Sequence, residues 1–102
     1  MTDQQFGVTD NAERRRFELT ENGQMAIATY RREGDLFSIP HVEAPPALRG
    51  KGTAQRLMQG IADMARANKH RIAPRCSYAR HWFSRHPEYA DVLEAQAPRD
   101  VL

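Results

Sequence analysis

The sequence predicts an α/β (α+β) fold in which an antiparallel meander of strands is followed by a βαβ unit and a C-terminal helix. Apolar and polar residues alternate with a period of two through the first half of the chain, as in half-buried strands. Apolar residues then recur at helical spacing over residues 53–68, and a short extended segment follows. A chain of 102 residues is too short for two self-sufficient cores, so we expect a single domain over residues 1–102.

The first two strands are predicted on either side of an Asn22-Gly23 turn. Residues 15–20 and 25–32 both alternate in polarity, and Asn-Gly between two such runs is the strongest short hairpin signal. Residues 1–13 are mostly polar and are expected to be flexible. Regular structure is therefore expected to begin near residue 15.

The third strand is predicted over residues 36–44, with a turn at Gly34 before it and a bend at Pro40. A helix is predicted from Thr53 to Asn68, with Asn68 closing it in a left-handed conformation. The residues on its apolar face are Ala54, Leu57, Met58, Ile61 and Ala65.

The segment after the helix completes the βαβ unit. Residues 71–76 are short and extended, and we expect them to form a strand parallel to the third one. Ser77 is expected to cap a second helix that carries Tyr78, Trp82 and Phe83, with at least one of the last two in the core.

Composition excludes several classes of protein. Fifteen basic and thirteen acidic residues leave a net charge of +2, and the basic residues are scattered, so nucleic-acid binding is only a third alternative and is not expected. Cys76 is the only cysteine, which excludes an intramolecular disulfide and suits a reducing compartment. No segment resembles a signal peptide or a membrane span, so a cytoplasmic protein is expected. His70, His81 and His86 lack metal-ligand spacing, and no metal site is predicted.

A glycine-containing loop, residues 49–54, joins the third strand to the first helix. Glycines let backbone N–H groups approach an anion that the helix N-terminus already attracts. The spacing of Gly50 and Gly52 fits neither a Walker loop nor the triple-glycine fingerprint of dinucleotide folds. A small polyphosphate site and an ordinary strand-to-helix turn are both open at this point.

The same loop carries a resemblance to a known superfamily. Arg49, Gly52 and Ala54 match the Arg/Gln-x-x-Gly-x-Gly/Ala signature of the GNAT superfamily of N-acetyltransferases. Over roughly residues 15–93 the chain resembles the very short, stand-alone N-acetyltransferase-like proteins of that superfamily. The blocks that carry the narrower resemblance are Val42–Gly52, Pro74–Tyr78 and Arg85–Tyr89.

The resemblance implies an enzyme that transfers the acetyl group of acetyl-CoA to an amine: a protein lysine, a polyamine or a small amine. It implies a mixed sheet in which two parallel strands splay, here those ending near Glu43 and near Cys76, with the thioester between them. It also implies that the loop wraps the pyrophosphate of coenzyme A. The residues assigned to the cofactor are Leu48, Arg49, Gly50, Lys51, Gly52, Thr53 and Ala54.

Acetyl transfer to an amine needs a base for the amine proton and an acid for the leaving thiolate. Glu43 is the candidate base, because members of the superfamily often carry a glutamate on that strand. His41 lies two residues earlier and would point to the same face. The alternative for Glu43 is a surface carboxylate paired with Arg49.

Two further candidates lie near the start of the second predicted helix. A thiolate at Cys76 would be stabilised by the helix dipole, which allows a covalent acetyl-cysteine route. Direct transfer is the commoner route in the superfamily, and Cys76 could equally be a small buried filler. Tyr78 is a candidate for protonating the leaving thiolate, or else packs in the core.

The chain departs from full-length members of the superfamily, which usually place one or two helices after the first strand. Only a tight turn separates Phe17 from Met25, so the acceptor side must be open or completed by another chain, as in a homodimer. The same gap keeps a second class open: a non-catalytic acyl-CoA-binding module or sensor subunit.

Overall fold

The computed structural model describes residues 3–5 and 7–94, and within these residues six strands form one mixed sheet in chain order. The predicted fold class, a meander followed by a βαβ unit and a C-terminal helix, is confirmed. The strands are β1 (Asp3–Gln5), β2 (Val8–Asn11), β3 (Arg16–Glu21), β4 (Gln24–Glu33), β5 (Leu36–Glu43) and β6 (Arg71–Pro74). The helices are α1 (Thr53–Asn68) and α2 (Ser77–Ser84), with short 3-10 helices at Pro46–Leu48 and Pro87–Val92.

Strands β1 to β5 form the antiparallel meander. The β3–β4 hairpin closes through Asn22 and Gly23, both with positive φ, as a two-residue turn between twisted strands requires. In β4 and β5 the side chains alternate between the buried core and the opposite face of the sheet. The period of two therefore predicted these strands correctly.

At the N-terminus the structure differs from the prediction. Residues 1–13 were expected to be flexible, but β1 and β2 lie within them, and Val8 is fully buried. The Tyr30 hydroxyl donates a 2.7 Å hydrogen bond to Asp10 in β2. A strand near a sheet edge is held largely by backbone pairing, which the polarity of its side chains does not reveal. Residues 1, 2 and 6 of that expectation lie outside the described residues.

Helix α1 packs across β2, β3, β4 and β6 and has the predicted bounds. Leu57, Met58 and Ile61 of its apolar face are fully or almost fully buried. Its C-terminal cap differs from the prediction, because Lys69 and not Asn68 adopts the left-handed conformation. Asn68 remains helical, and its side chain donates to the Met64 carbonyl at 3.0 Å.

Strand β6 and helix α2 complete the fold. β6 pairs with β5 in parallel, so the predicted βαβ unit is confirmed. The N-cap of helix α2 lies one residue earlier than predicted, at Cys76 and not at Ser77. Trp82 and Phe83 are both buried, with their ring centroids 5.0 Å apart.

Candidate active site

The loop between β5 and α1 is anchored at one end and open at the other. Leu48 is buried in the core, whereas the four residues that follow it are exposed. The backbone is left-handed at Gly50 (φ +78°) and Gly52 (φ +79°), a conformation that residues with a Cβ rarely adopt. Glycine at these two positions therefore lets the chain turn sharply into the helix.

Helix α1 begins without a cap. Its N-cap residue is Gly52, which offers no side chain, and the first turn carries no acidic residue. Within the described residues, the N–H groups of Gly50, Gly52, Thr53 and Ala54 have no acceptor. Unpaired N–H groups at a helix start carry partial positive charge and bind anions. The exposed Lys51 adds a full charge beside them.

A carboxylate from β3 holds this loop in place. Glu21 accepts hydrogen bonds from Thr53 Oγ1 (2.6 Å) and from Arg56 Nε and Nη2 (both 2.7 Å). Arg56 Nη2 also donates to the carbonyl of Lys51 at 2.8 Å. These bonds from Arg56 and Thr53 lower the pKa of Glu21 to about 2. We call this set of contacts the Glu21 clamp; it joins the hairpin end of β3 to the first turn of α1.

Two of the residues predicted to bind the cofactor have side chains that are used within the fold. Thr53 is 1% exposed and its hydroxyl is used by Glu21, so only its backbone N–H faces the open end of the loop. Leu48 likewise can contribute only backbone atoms, because its side chain is in the core. The contact between Glu21 and Arg56 was not predicted, because 35 residues separate them in the chain and no local pattern links them.

Strands β5 and β6 separate beside this loop. They pair only from Leu36↔Arg71 to Ile39↔Pro74, and the Ile39 carbonyl then accepts both Arg75 N–H (3.0 Å) and Cys76 N–H (3.2 Å). Beyond Ile39, β5 continues to Glu43 with only β4 beside it. A register shift places Ile39 and Pro40 opposite the single residue Tyr30, so the predicted bend at Pro40 is present. The predicted splay between the strands is therefore confirmed.

The candidate base lies on the free part of β5. His41 Nε2 and Glu43 Oε1 are 2.7 Å apart, and the two side chains are 55% and 61% exposed. They point to the same face, as predicted from their spacing. Glu43 and Arg49 line one groove of about 560 Å³, yet within the described residues the Glu43 carboxylate is hydrogen-bonded to His41 and not to Arg49.

The other two candidates lie across the gap. Cys76 is half-buried, and its Sγ accepts a hydrogen bond from the Ala79 N–H at 3.4 Å at the start of α2. Tyr78 is 37% exposed, and burial raises the pKa of its phenol. Within the described residues, neither side chain is hydrogen-bonded to His41 or Glu43. Within the described residues, the four predicted catalytic side chains therefore do not form one hydrogen-bonded network.

Comparison with known proteins decides the family. The family model of GCN5-related N-acetyl-transferases matches residues 16–92, most of the chain. This chain belongs to the GCN5-related N-acetyltransferase (GNAT) family. Its fold is similar to that of a GCN5-like protein from Staphylococcus aureus solved by NMR, with a TM-score of 0.65, 24% identity, and coverage of 97% of this chain and 92% of that one. A comparison with curated protein sequences found no match.

The predicted superfamily and the enzyme class are thereby confirmed for this GNAT-family chain. Within residues 3–5 and 7–94, no cluster of three or more His, Cys, Asp or Glu side chains has a geometry suited to a metal ion. No helix in that part of the chain is both long and apolar enough to cross a membrane.

Proposed function

We propose that this GNAT-family chain binds acetyl-CoA and transfers its acetyl group to an amine, either a protein lysine, a polyamine or a small amine. One observation carries the proposal. The uncapped start of α1, with unpaired N–H groups on a clamped glycine loop, lies next to the gap between β5 and β6. In this arrangement the start of α1 can bind the phosphates of acetyl-CoA, and the gap between the strands can hold its thioester.

The residues present fit the pyrophosphate of coenzyme A. The backbone N–H groups of Gly50, Gly52, Thr53 and Ala54 are available to its oxygens, and the absence of a Cβ at Gly52 allows close approach. Arg49 and Lys51 are exposed in the same loop and add positive charge near the start of α1. When bound, acetyl-CoA supplies the acetyl thioester that reacts in the gap.

The side chains along the gap supply the proton transfers for direct transfer. As the amine nitrogen bonds to the acetyl carbon and the C–S bond breaks, the amine loses a proton, and the Glu43 carboxylate with its partner His41 accepts it. The Tyr78 phenol gives a proton to the departing sulfur. Since burial raises its pKa, this phenol stays protonated at neutral pH.

A covalent route through Cys76 remains an alternative. In that route the Cys76 thiol would exchange with the thioester, which gives acetyl-cysteine and free CoA thiol, and the amine would then take the acetyl group and restore the cysteine thiol. The support is the position of Sγ: it caps α2 at the point where β6 leaves β5, and the Ala79 N–H points at it. Acetylated protein of about 42 Da greater mass, lost in Cys76→Ser, would mark this route.

The decisive experiment measures acetylation of a broad amine panel by the purified protein with acetyl-CoA. We expect Glu43→Gln to lower kcat by about 100-fold or more while leaving CoA binding unchanged, because the Glu43 side chain is exposed and is bonded to His41 and not to the loop in the described part of the chain. Glu13→Gln, which changes an exposed carboxylate in the β2–β3 turn, is the control. Full activity in Glu43→Gln would remove the base from the proposal.

A non-catalytic acyl-CoA-binding module is the second candidate. It is favoured by the β3–β4 connection, in which only Asn22 and Gly23 stand where larger family members place acceptor-binding helices. Thermal stabilisation by acetyl-CoA without acetylation of any amine would select this candidate. A nucleic-acid module predicts instead salt-sensitive binding to DNA or RNA and no response to CoA.

We further propose that the chain is a single domain that acts in the cytoplasm, which its one cysteine suits. A homodimer could complete the open side of the site. Sedimentation velocity with and without CoA tests the dimer directly.

A further inference from the structure

An open cleft of about 770 Å³ lies beside the candidate catalytic side chains. Four arginines line it, and we call it the arginine cleft: Arg15, Arg31, Arg32 and Arg75. Glu33 is the carboxylate among its described lining residues. The Arg32 guanidinium lies over the ring of buried Phe37, on the α1 face, so the positive charges that face the cleft are those of the other three arginines. They still exceed the charge of Glu33.

The arginine cleft opens on the same face of the sheet as His41 and Glu43. Tyr30 of β4 is buried, so the next residue, Arg31, points to the opposite face. On β5, Val42 packs against the core, so His41 on one side of it also points away from α1. Arg31 is two residues from Thr29, the cross-strand partner of His41, a separation of about 7 Å along the strand.

The cleft also reaches the point where the strands separate. Pro40 and Arg75 line it, and these residues adjoin the forked hydrogen bonds at the Ile39 carbonyl. The Arg15 turn is tied to the same place, because the Arg15 carbonyl accepts the Tyr30 N–H at 2.9 Å. A molecule seated in the cleft would extend towards the gap in which the acetyl group is proposed to lie.

Two of the four guanidinium groups are already engaged. Arg75 pairs with Glu94 at 3.0 Å, and Arg32 donates to the Gly34 carbonyl and lies 4.9 Å from the Phe37 ring centroid. Arg15 and Arg31 have no acidic partner within the described part of the chain. Unpaired guanidinium groups bind carboxylate and phosphate through paired N–H donors.

We propose that the arginine cleft binds an anionic group of the acceptor, which makes the substrate a primary amine that also carries a carboxylate or a phosphate. This inference rests on the proposed acetyltransferase function and narrows its acceptor. Arg15 and Arg31 hold the anion, and the amine points to Glu43. A polyamine is disfavoured, because its second ammonium group would face these arginines.

The test compares acetylation of matched amines by the full chain with acetyl-CoA. The anionic probes are 5-aminopentanoate and O-phosphoethanolamine; the others are pentylamine and 1,5-diaminopentane. We expect the better anionic amine to exceed pentylamine and the diamine at least about tenfold in kcat/KM. Its identity distinguishes a carboxylate from a phosphate. Equal or greater kcat/KM for pentylamine or the diamine would overturn the inference.

Variants locate the effect. Arg31→Gln and Arg15→Gln are each expected to raise KM for the anionic amine about five- to tenfold, with kcat, the KM for pentylamine and the KM for acetyl-CoA unchanged. Arg14→Gln changes the neighbouring exposed arginine, which does not line the cleft, and should leave all these constants unchanged. A matching rise in KM for acetyl-CoA would instead mean that the cleft binds the cofactor, which contradicts the inference.

A binding experiment distinguishes failure of the proposed acetyltransferase function from failure of the anion site. If no amine is acetylated, titration calorimetry of the CoA-loaded protein with 5-aminopentanoate and with O-phosphoethanolamine tests the cleft alone. Binding of either probe that is lost in Arg31→Gln and kept in Arg14→Gln supports the anion site. No binding of either by the unmodified chain overturns it.

Discussion

The two helices begin on opposite sides of the same gap, and they begin differently. Helix α1 starts at Gly52 in a left-handed conformation with no side-chain cap. Helix α2 starts at Cys76 in an extended conformation, and the cysteine Sγ accepts the Ala79 N–H. A helix start with unpaired donors is costly to leave open unless an outside group satisfies them.

The difference suits the two helix starts to different roles. The open start of α1 suits an anion that comes from solution, and the Glu21 clamp fixes its geometry from the side without occupying the N–H groups. The closed start of α2 uses a side chain that is itself chemically reactive. The predictions below test whether these two starts have separate roles, from the largest expected effect to the smallest.

The largest effect is expected from Gly52→Val. A β-branched residue is strained at φ +79°, and its Cβ would lie 3.0 Å from Arg56 Nη1, in the clamp. We expect CoA affinity, measured by calorimetry, to fall by about 100-fold or more as the loop backbone moves away from the phosphates.

Gly34→Val is the matched control for that change. Gly34 has φ +63° with open space around it, at the remote β4–β5 turn. The control should lose a comparable amount of stability, about 1–2 kcal/mol, and keep its CoA affinity. Equal loss of affinity in both variants would mean that general destabilisation, and not the loop, explains the result.

Glu21→Gln tests the clamp. Without the carboxylate, Arg56 loses the partner that orients it towards the Lys51 carbonyl, and we expect CoA affinity to fall about tenfold. Because the folded-state pKa of Glu21 lies at about 2, below its ordinary value of 4.5, its contribution to stability is present above pH 4.5 and is lost as the pH falls towards 2. Chemical denaturation across that range should show a weaker pH dependence in Glu21→Gln. If the pH dependence of the free energy of unfolding were the same in Glu21→Gln and the unmodified protein, Glu21 would not contribute to the loss of stability in acid.

Cys76 is expected to have a moderate structural effect. Cys76→Ala removes the N-cap of α2 and should lower the free energy of unfolding by about 1 kcal/mol. Cys76→Ser keeps an acceptor at the cap and should retain the stability of the unmodified protein. CoA affinity should change in neither variant, since the cap of α2 is separate from the α1 loop. Equal stability of the alanine and serine variants would show that the sulfur contact does not stabilise the helix.

The smallest effect is expected from Lys51→Gln. The side chain of Lys51 is exposed, so we expect only about a two- to threefold loss of CoA affinity at low salt, because solvent screens such charges. The loss should shrink between about 50 mM and about 500 mM salt, since the Debye length shortens. If the loss of CoA affinity did not depend on salt, Lys51 would contact the phosphates directly and would not act only through long-range electrostatic attraction.

Local patterns predicted most of the fold. The alternation in β3 to β5, the Asn22-Gly23 turn and the bounds of α1 all depend on neighbours in the chain, and these predictions are confirmed. The errors fall where backbone pairing or an unusual cap decides. β2 is held by backbone pairing with β3, and α2 is capped by the sulfur of Cys76, which accepts the N–H of Ala79 three residues further on.

The candidate site divides in the same way. The glycine loop, the spacing of His41 and Glu43, and the family likeness could be found in the sequence, because they are local. The Glu21 clamp and the arginine cleft could not, since Glu21 meets Arg56 across 35 residues, and Arg31 reaches the cleft only through its register with Ser38.

The amino-acid sequence by itself determined that a strand meander leads into a glycine loop and an amphipathic helix, because periodicity and turn chemistry act between near neighbours. Tertiary structure alone decided which carboxylate fixes that loop, which charges remain unpaired and which face of the sheet they share. Those outcomes depend on strand register and on packing across the sheet, and a one-residue slip in register would send each side chain to the other face.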